Sequence, residues 1–193
     1  EINTTHFSKI KNIIDLMDFT FDTTDLDFLT IKNLSPNLYK KNLIILHYDE
    51  KWSNSTYISE YNDIEPNEDQ LFNFIKNIRL KSNYELIITT GVFTPIILKS
   101  TISKITDPKV KLVEGLNFNE LEHIVSQSKL LISCHGAISH VASAYNIKQI
   151  DIIDINKQNP YSNWTDHFRN YNPIYRKKFQ NLSNEILNLI FKI

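Results

Sequence analysis

Cysteine and glycine are both scarce in this sequence, which contains one cysteine and three glycines among 193 residues. A single cysteine excludes an internal disulfide bond and is typical of proteins in a reducing compartment. Each glycine is expected at a position where a side chain would obstruct the backbone. The sequence also lacks a run of about 18 apolar residues, which argues against a membrane-spanning helix, and it shows no secretory signal.

Net charge is also nearly absent, because 21 lysine and arginine residues are balanced by 22 aspartate and glutamate residues. The formal charge of -1 gives no overall attraction to nucleic acid or to an acidic membrane surface. Hydrophobic residues make up 41% of the chain, which is ordinary for a globular domain. We expect a cytoplasmic protein without a nucleic-acid partner, at most peripheral to the inner face of the membrane.

Several motifs of nucleotide and metal sites are missing as well. Neither Gly-x-Gly-x-x-Gly nor Gly-x-x-x-x-Gly-Lys occurs, which argues against a dinucleotide site or a P-loop. His135 and His140 are five residues apart, which does not match the spacing of two metal ligands on one helix face. The acidic pairs at 25–27 and 151–154 are interpreted as chance. We therefore expect no metal and no cofactor.

Short apolar runs alternate with segments of helical periodicity from residue 42 onward. This alternation predicts an α/β fold, a Rossmann-like doubly wound parallel sheet with helices on both faces. Residues 1–41 are predicted to form an N-terminal helix, at 7–17, and a connector, whereas 42–193 form the Rossmann-like domain. The strands are predicted at 43–47, 84–90, 110–113, 130–133 and 149–153, the helices at 66–78, 95–105, 118–128, 137–145 and 182–191, and a loop at 156–175.

The stretch 129–145 predicts a buried strand, a tight turn and a helix that begins near Ala137. The start of a helix presents unpaired N–H groups and the positive end of the helix dipole, which together favour an anion such as phosphate. Gly136 lets the backbone approach a phosphate, and His140 returns to the same point one turn later. The alternative is a plain turn with His140 packed in the interior. The residues predicted to surround the ligand are Ser133, His135, Gly136, Ala137, Ser139 and His140.

The loops after the other predicted strands carry further candidates. Lys51 follows the first strand, where it can pair with a phosphate as a point charge, and Trp52 beside it either closes over a base or sugar or anchors the loop. Gly91 ends the second strand, where it either admits a ligand or only turns the chain. Glu114 ends the third strand as a partner for a ribose hydroxyl or as a solvated carboxylate. Cys134 is interpreted as a small buried residue rather than a nucleophile.

The order of these elements resembles the carboxyl-terminal half of the heptosyltransferases, glycosyltransferase family 9, which have the GT-B fold. In that family a strand is followed by Asp-Thr-Gly-x-x-His and an alanine-rich helix, and the segments 112–121, 129–133 and 135–144 are similar to this arrangement. Lys51 and Thr90–Gly91 match the lysine and the Thr-Gly strand end of the family. The resemblance covers residues 42 to 154 and implies one half of a GT-B fold.

The match is partial at the motif itself. His135 stands where the family has aspartate, Gly136 where it has threonine and Ala137 where it has glycine, whereas Ser139 and His140 agree with it. The acidic residue that follows the Thr-Gly strand in the family is missing here. The chain therefore resembles a divergent relative rather than an orthodox heptosyltransferase.

The resemblance implies a metal-independent glycosyltransferase of polysaccharide biosynthesis, or its donor-binding domain. Its donor is expected to be an ADP- or UDP-linked sugar, and its acceptor a glycan or a lipid-linked molecule. His140 is expected to be catalytic, and Lys51 is expected to help stabilise the departing nucleoside diphosphate. The chain begins with Glu1, and an N-terminal Rossmann-like domain is expected to be missing from it. A sugar-nucleotide epimerase of the same fold and a non-catalytic nucleotide-sugar-binding module remain alternatives.

Overall fold

The computed structural model describes residues 16–17, 42–52, 65–154 and 165–190. The predicted N-terminal helix and its connector lie outside the described residues, apart from Leu16 and Met17. The division of the chain at residue 42 therefore stays a prediction. Within the described ranges, no helix is both long and apolar enough to cross a membrane.

A six-stranded parallel sheet forms the centre of the described chain. Its strands are β1 (Leu43–His47), β2 (Glu85–Thr89), β3 (Val110–Val113), β4 (Leu130–Cys134), β5 (Lys148–Ile153) and β6 (Tyr171–Tyr175). The spatial order is β3-β2-β1-β4-β5-β6. From β1 the chain continues to β2 and β3 on one side of the sheet, and from β4 it continues to β5 and β6 on the other side. The carboxyl ends of β1 and β4 therefore flank a crevice, and sheets of this kind bind their ligands in such a crevice.

In the described part of the chain, five helices connect or follow the strands, and two of these begin at an asparagine cap. The side chains of Asn67 and Asn117 each accept a hydrogen bond from the backbone N–H three residues later. A cap of this type stabilises a helix by about 1 kcal/mol. The helices are α1 (Glu68–Ser82), α2 (Ile96–Ser103), α3 (Phe118–Ser126), α4 (Ala137–Ala144) and α5 (Phe179–Ile190).

Helices cover both faces of the sheet. Side chains alternate along a strand, so Ile44 and Leu46 point to one face while Leu43 and Ile45 point to the other. The first face packs against α1, α2 and α5, and the second packs against α3 and α4. Each fully buried aliphatic side chain stabilises the fold by about 1.5–3 kcal/mol. The predicted doubly wound parallel sheet is confirmed.

The prediction of a loop at 156–175 is wrong for its last five residues, which form β6 at the edge of the sheet. Asn170 and Arg176 make the backbone hydrogen bonds to β5 on either side of this strand. The backbone N–H and C=O groups of the odd-numbered residues Tyr171, Pro173 and Tyr175 therefore point away from β5. The N–H group that Pro173 lacks removes no hydrogen bond of the sheet there. Proline and asparagine usually mark turns, and for this reason the sequence favoured a loop.

Candidate functional site

A row of buried polar side chains crosses the sheet near its carboxyl edge. Thr89, His47, Ser133 and Asp151 are register partners on the adjacent strands β2, β1, β4 and β5, so they point to the same face. Their exposed fractions lie between 0% and 7%. Nδ1 of His47 lies 2.9 Å from Oγ1 of Thr89, within hydrogen-bonding distance. Burying a polar group without a hydrogen bond costs free energy. The site therefore comprises these four side chains together with their hydrogen-bonding partners.

Asp151 is the centre of that row and accepts hydrogen bonds from four side chains. Oδ2 accepts from Nδ1 of His135 at 2.5 Å and from the Tyr171 hydroxyl at 2.9 Å. Oδ1 accepts from Oγ of Ser139 at 2.8 Å and from Oγ of Ser133 at 3.4 Å. A carboxylate offers about four lone-pair sites, so these four donors match its capacity and satisfy a side chain that is completely buried.

The two serines of this group were predicted to contact a ligand. A hydroxyl carries one hydrogen to donate, and both hydroxyls are directed to Asp151. Both residues are also 0% exposed, so in this arrangement their hydroxyls face the interior, and a ligand contact at Ser133 or Ser139 stays a prediction. The observed contacts of the two hydroxyls are hydrogen bonds to the Asp151 carboxylate, next to the turn at Gly136.

Lys51 reaches from the loop after β1 to the start of α4. Its Nζ lies 2.6 Å from the point where a Cβ on Gly136 would stand. Asp49 fixes the position of Lys51 by two contacts. Its Oδ2 lies 2.9 Å from Nζ, and its Oδ1 accepts a hydrogen bond from the Lys51 backbone N–H at 3.1 Å. Burial is the largest single influence on the pKa of Lys51 and lowers it, but the charge of Asp49, its hydrogen bond and the nearby Glu50 carboxylate together outweigh burial, so the net pKa is raised. A permanent cation therefore stands beside the positive end of a helix.

Gly91, which follows β2, makes room for the loop after β1. A Cβ on Gly91 would lie 2.6 Å from Oε2 of Glu50 and 3.3 Å from Cβ of Asp49. The space on the Cβ side of Gly91 is thus taken by the Glu50 carboxylate, and the alternative that Gly91 admits a ligand stays a prediction. The loop is also fixed from β6, because Nη1 of Arg176 donates to the carbonyl oxygen of Lys51 at 2.8 Å.

His140 lies exposed on the first turns of α4, so the alternative that it packs in the interior is wrong. Its ring centroid is 5.8 Å from that of His135, 4.9 Å from that of Phe168 and 6.2 Å from that of His167. The structure therefore places His140 at the same edge as His135 and the Ala137 helix start. Its assignment as the catalytic residue stays a prediction.

Glu114 does not join this group. It follows β3, which lies three strands from β4, a separation of about 14 Å at ~4.8 Å per strand. Its carboxylate lies 3.4 Å from Nζ of Lys99. A hydrogen bond from Thr94, together with Lys99, lowers the pKa of Glu114. The structure thus separates Glu114 from the turn after β4.

The structure also decides two alternatives that the sequence left open. Trp52 is 1% exposed, stacks on Tyr48 with ring centroids 5.3 Å apart, and donates from Nε1 to the carbonyl oxygen of His47 at 2.8 Å. It therefore anchors the loop and does not close over a ligand. Burial raises the pKa of Cys134 to about 12, so its thiol lacks the thiolate character of a nucleophile.

Sequence reasoning missed several residues of this site, above all Asp151 and Tyr171. A signal for Asp151 exists, because it interrupts an otherwise apolar buried strand, whereas the pair at 151–154 was interpreted as chance. Tyr171 and Arg176 gave no signal, since the strand before Arg176 was predicted to be a loop. In the described ranges, no three His, Cys, Asp or Glu side chains are grouped to hold a metal ion.

Comparison with solved structures finds the same architecture in nucleotide-sugar enzymes. The chain is similar to E. coli heptosyltransferase WaaC with ADP, at a TM-score of 0.61 and 12% identity, over 93% of this chain and 53% of that chain. It is similar to E. coli ADP-heptose LPS heptosyltransferase II, at 0.54 and 10%, over 90% and 53%. A third similar structure is Methanocaldococcus jannaschii UDP-GlcNAc 2-epimerase in complex with UDP-GlcNAc and UDP, at 0.54 and 12%, over 89% and 42%.

The chain has the fold of one half of a GT-B enzyme. The resemblance to heptosyltransferases is thereby confirmed for the fold, and identities of 10–12% show the fold alone. This GT-B half spans about half the length, 53%, of the solved heptosyltransferases that it matches. Comparison with protein-family models and with curated protein sequences found no match.

Proposed function

We propose that the chain is the donor-binding half of a metal-independent GT-B glycosyltransferase of polysaccharide biosynthesis. Its donor is an ADP- or UDP-linked sugar, and its acceptor is a glycan or a lipid-linked molecule. A second Rossmann-like domain supplies the acceptor side of the cleft.

The position of Lys51 carries this proposal. Its ammonium lies against Gly136 at the start of α4, and the loop that carries it follows β1, the neighbour of β4 in the sheet. The first N–H groups of a helix have no acceptor within the helix. Here they are those of Ala137 and Ile138, because the Ser139 N–H donates to the carbonyl oxygen of Gly136. A cation beside such N–H groups makes a site for the oxygens of a diphosphate.

The chemistry of sugar transfer requires a site of this kind. When the bond between the sugar and the phosphate oxygen breaks, negative charge grows on the departing nucleoside diphosphate. Donors fixed in advance around that charge each contribute about 3–4 kcal/mol to the transition state. We assign this role to Lys51, the Ala137 helix start and His140.

The similar solved structures agree with this ligand class. The heptosyltransferase WaaC structure contains ADP, and the similar epimerase contains UDP-GlcNAc and UDP. The epimerase likeness, at a TM-score of 0.54, makes a sugar-nucleotide epimerase the second candidate. Both candidates share the diphosphate site and differ in the groups that meet the sugar.

Calorimetric titration of the chain with ADP, UDP, GDP and CDP tests the shared ligand class. We expect one nucleoside diphosphate to bind selectively, and we expect Lys51→Met to weaken it about ten- to a hundredfold because a charged contact is lost. Lys148→Met is the matched control, since Lys148 begins β5 at the opposite edge of the sheet.

The control variant should bind as the wild type does. Failure of all four nucleotides to bind, or equal affinity of Lys51→Met and wild type, would contradict the proposal. Incubation of a two-domain enzyme with the sugar conjugate of the selected nucleotide, with and without an acceptor glycan, then separates transfer from epimerisation.

A further inference from the structure

Arg176 connects the edge strand β6 to the loop that carries Lys51. Its backbone N–H donates to the carbonyl oxygen of Ile153 at 2.9 Å, which fixes its main chain beside β5. Its Nη1 donates to the carbonyl oxygen of Lys51 at 2.8 Å, across 125 positions of the chain. We propose that Arg176 is a positioning residue that holds Lys51 at the Gly136 turn, where the ammonium binds the donor diphosphate. This inference rests on the proposed function and adds a residue that acts through Lys51.

Several other hydrogen bonds of the loop after β1 are local. Oδ1 of Asp49 accepts the backbone N–H of Lys51 at 3.1 Å, and the carbonyl oxygen of Asp49 accepts that of Trp52 at 3.1 Å. The Trp52 indole donates to the carbonyl oxygen of His47 at 2.8 Å. Because these bonds join close neighbours in the chain, they set the shape of the loop. They do not set its distance from the half of the sheet that contains β4, β5 and β6.

The hydrogen bond from Arg176 fixes that distance. β6 lies at the edge of the sheet, and β5 and β4 separate it from β1. The carbonyl group of Lys51 is attached to the same Cα as its side chain, so a displaced carbonyl moves the ammonium with it. Arginine suits this contact because its guanidinium stays charged, and a charged donor forms a stronger hydrogen bond than a neutral one.

The alternative is that Arg176 acts on the diphosphate by its own charge. Burial raises the pKa of Cys134, and the Arg176 charge opposes this rise, so the guanidinium stands near the end of β4. The two roles differ in one measurable respect. A positioning residue loses its effect when Lys51 is removed, whereas a direct charge keeps its effect.

Calorimetric titration with ADP, UDP, GDP and CDP measures the effect on affinity. We expect Arg176→Met to weaken the nucleotide that binds about tenfold, the loss expected when a unit charge retreats by about 1 Å from a phosphate oxygen. Arg176→Lys retains a charged donor and should recover the affinity to within about threefold of the wild type. Lys177→Met is the matched control, because it removes the same charge from a neighbouring residue whose Nζ lies 2.6 Å from Oε2 of Glu185. The control should bind as the wild type does.

A double-mutant cycle decides between the two roles. In the Lys51→Met protein, Arg176→Met should cause no further loss of affinity, because the group that it positions is gone. An equal loss in both backgrounds would show that Arg176 acts by its own charge and would overturn the positioning role. An Arg176→Met variant that binds as tightly as the wild type would overturn it as well.

Hydrogen exchange of the ligand-free chain, followed by mass spectrometry, tests the contact without a nucleotide. We expect the amides of Lys51 and Trp52 to exchange severalfold faster in Arg176→Met than in the wild type or in Lys177→Met, because the loop opens more easily. Unchanged exchange in a folded Arg176→Met protein would contradict the inference. If thermal unfolding shows that Arg176→Met does not fold, Arg176→Gln, with a shorter neutral side chain, replaces it in every measurement.

These measurements also separate the inference from the proposed function. If a nucleotide binds to the wild type and to Arg176→Met alike, the inference fails and the proposed function stands. If none of the four nucleotides binds, the proposed function fails and the effect on affinity fails with it. The exchange rates then still decide whether Arg176 holds the loop.

Discussion

Replacement of Gly136 by alanine isolates the contact between Lys51 and the start of α4. The new Cβ would lie 2.6 Å from Nζ, whereas ordinary contacts begin at 3.4 Å. The backbone of Gly136 is extended and accepts a side chain, and the lysine end is flexible. We therefore expect the ammonium to retreat by about 1 Å while the fold persists.

The expected loss of affinity follows from Coulomb's law. Moving a unit charge from about 3 to about 4 Å from a phosphate oxygen costs about 1.4 kcal/mol at an effective dielectric constant of about 20. This free-energy difference corresponds to about tenfold weaker binding of the nucleoside diphosphate. Calorimetric titration with the selected nucleotide measures the change, and thermal unfolding checks that Gly136→Ala remains folded.

A double-mutant cycle with Lys51→Met tests the cause. Methionine ends at the position of the lysine Cε, which lies 3.7 Å from the Gly136 Cβ position, an ordinary contact. Gly136→Ala should therefore cause little further loss of nucleotide affinity when Lys51 has already been replaced by methionine. Equal losses in both backgrounds, or no loss in the single variant, would refute the reasoning.

Three further predictions concern single side chains. His140→Ala should lower donor affinity or turnover about 100-fold, and an unchanged rate in a full-length enzyme would remove His140 from the site. Burial lowers the pKa of His47, so the unfolded chain takes up a proton first and stability should fall as the pH drops below ~6.5. Urea unfolding at pH 7.5 and 5.5 should show a smaller loss for His47→Gln than for wild type. Cys134, 1% exposed, should react slowly with a thiol reagent in the native protein and rapidly in urea, and fast native labelling would contradict its burial.

The sheet could be predicted because its strands combine strong local signals. Leu43–His47 is a continuous apolar run that ends at a polar residue, and Asn67 and Asn117 mark helix starts by their capping pattern. These signals depend on neighbours in the chain. The edge strand Tyr171–Tyr175 lacked them, because an outer strand tolerates proline and polar residues that a central strand does not.

The site was only partly predictable for a different reason. The turn at Gly136 is local, so its position could be predicted from the strand before it and the helix after it. The hydrogen bonds to Asp151 come from residues 12 to 20 positions away, and the register that aligns Asp151 with Ser133 arises from sheet assembly. No pattern within one segment encodes such an alignment.

Pro173 affects how this half can meet another protein chain. The outer margin of β6 lacks a hydrogen-bond donor at its centre, so a strand from another molecule finds no continuous ladder there. Association by extension of the sheet is disfavoured on that side. In the two-domain enzyme that we propose, the second domain would instead approach the rim of loops that holds Lys51 and His140, and the two sheets would remain separate.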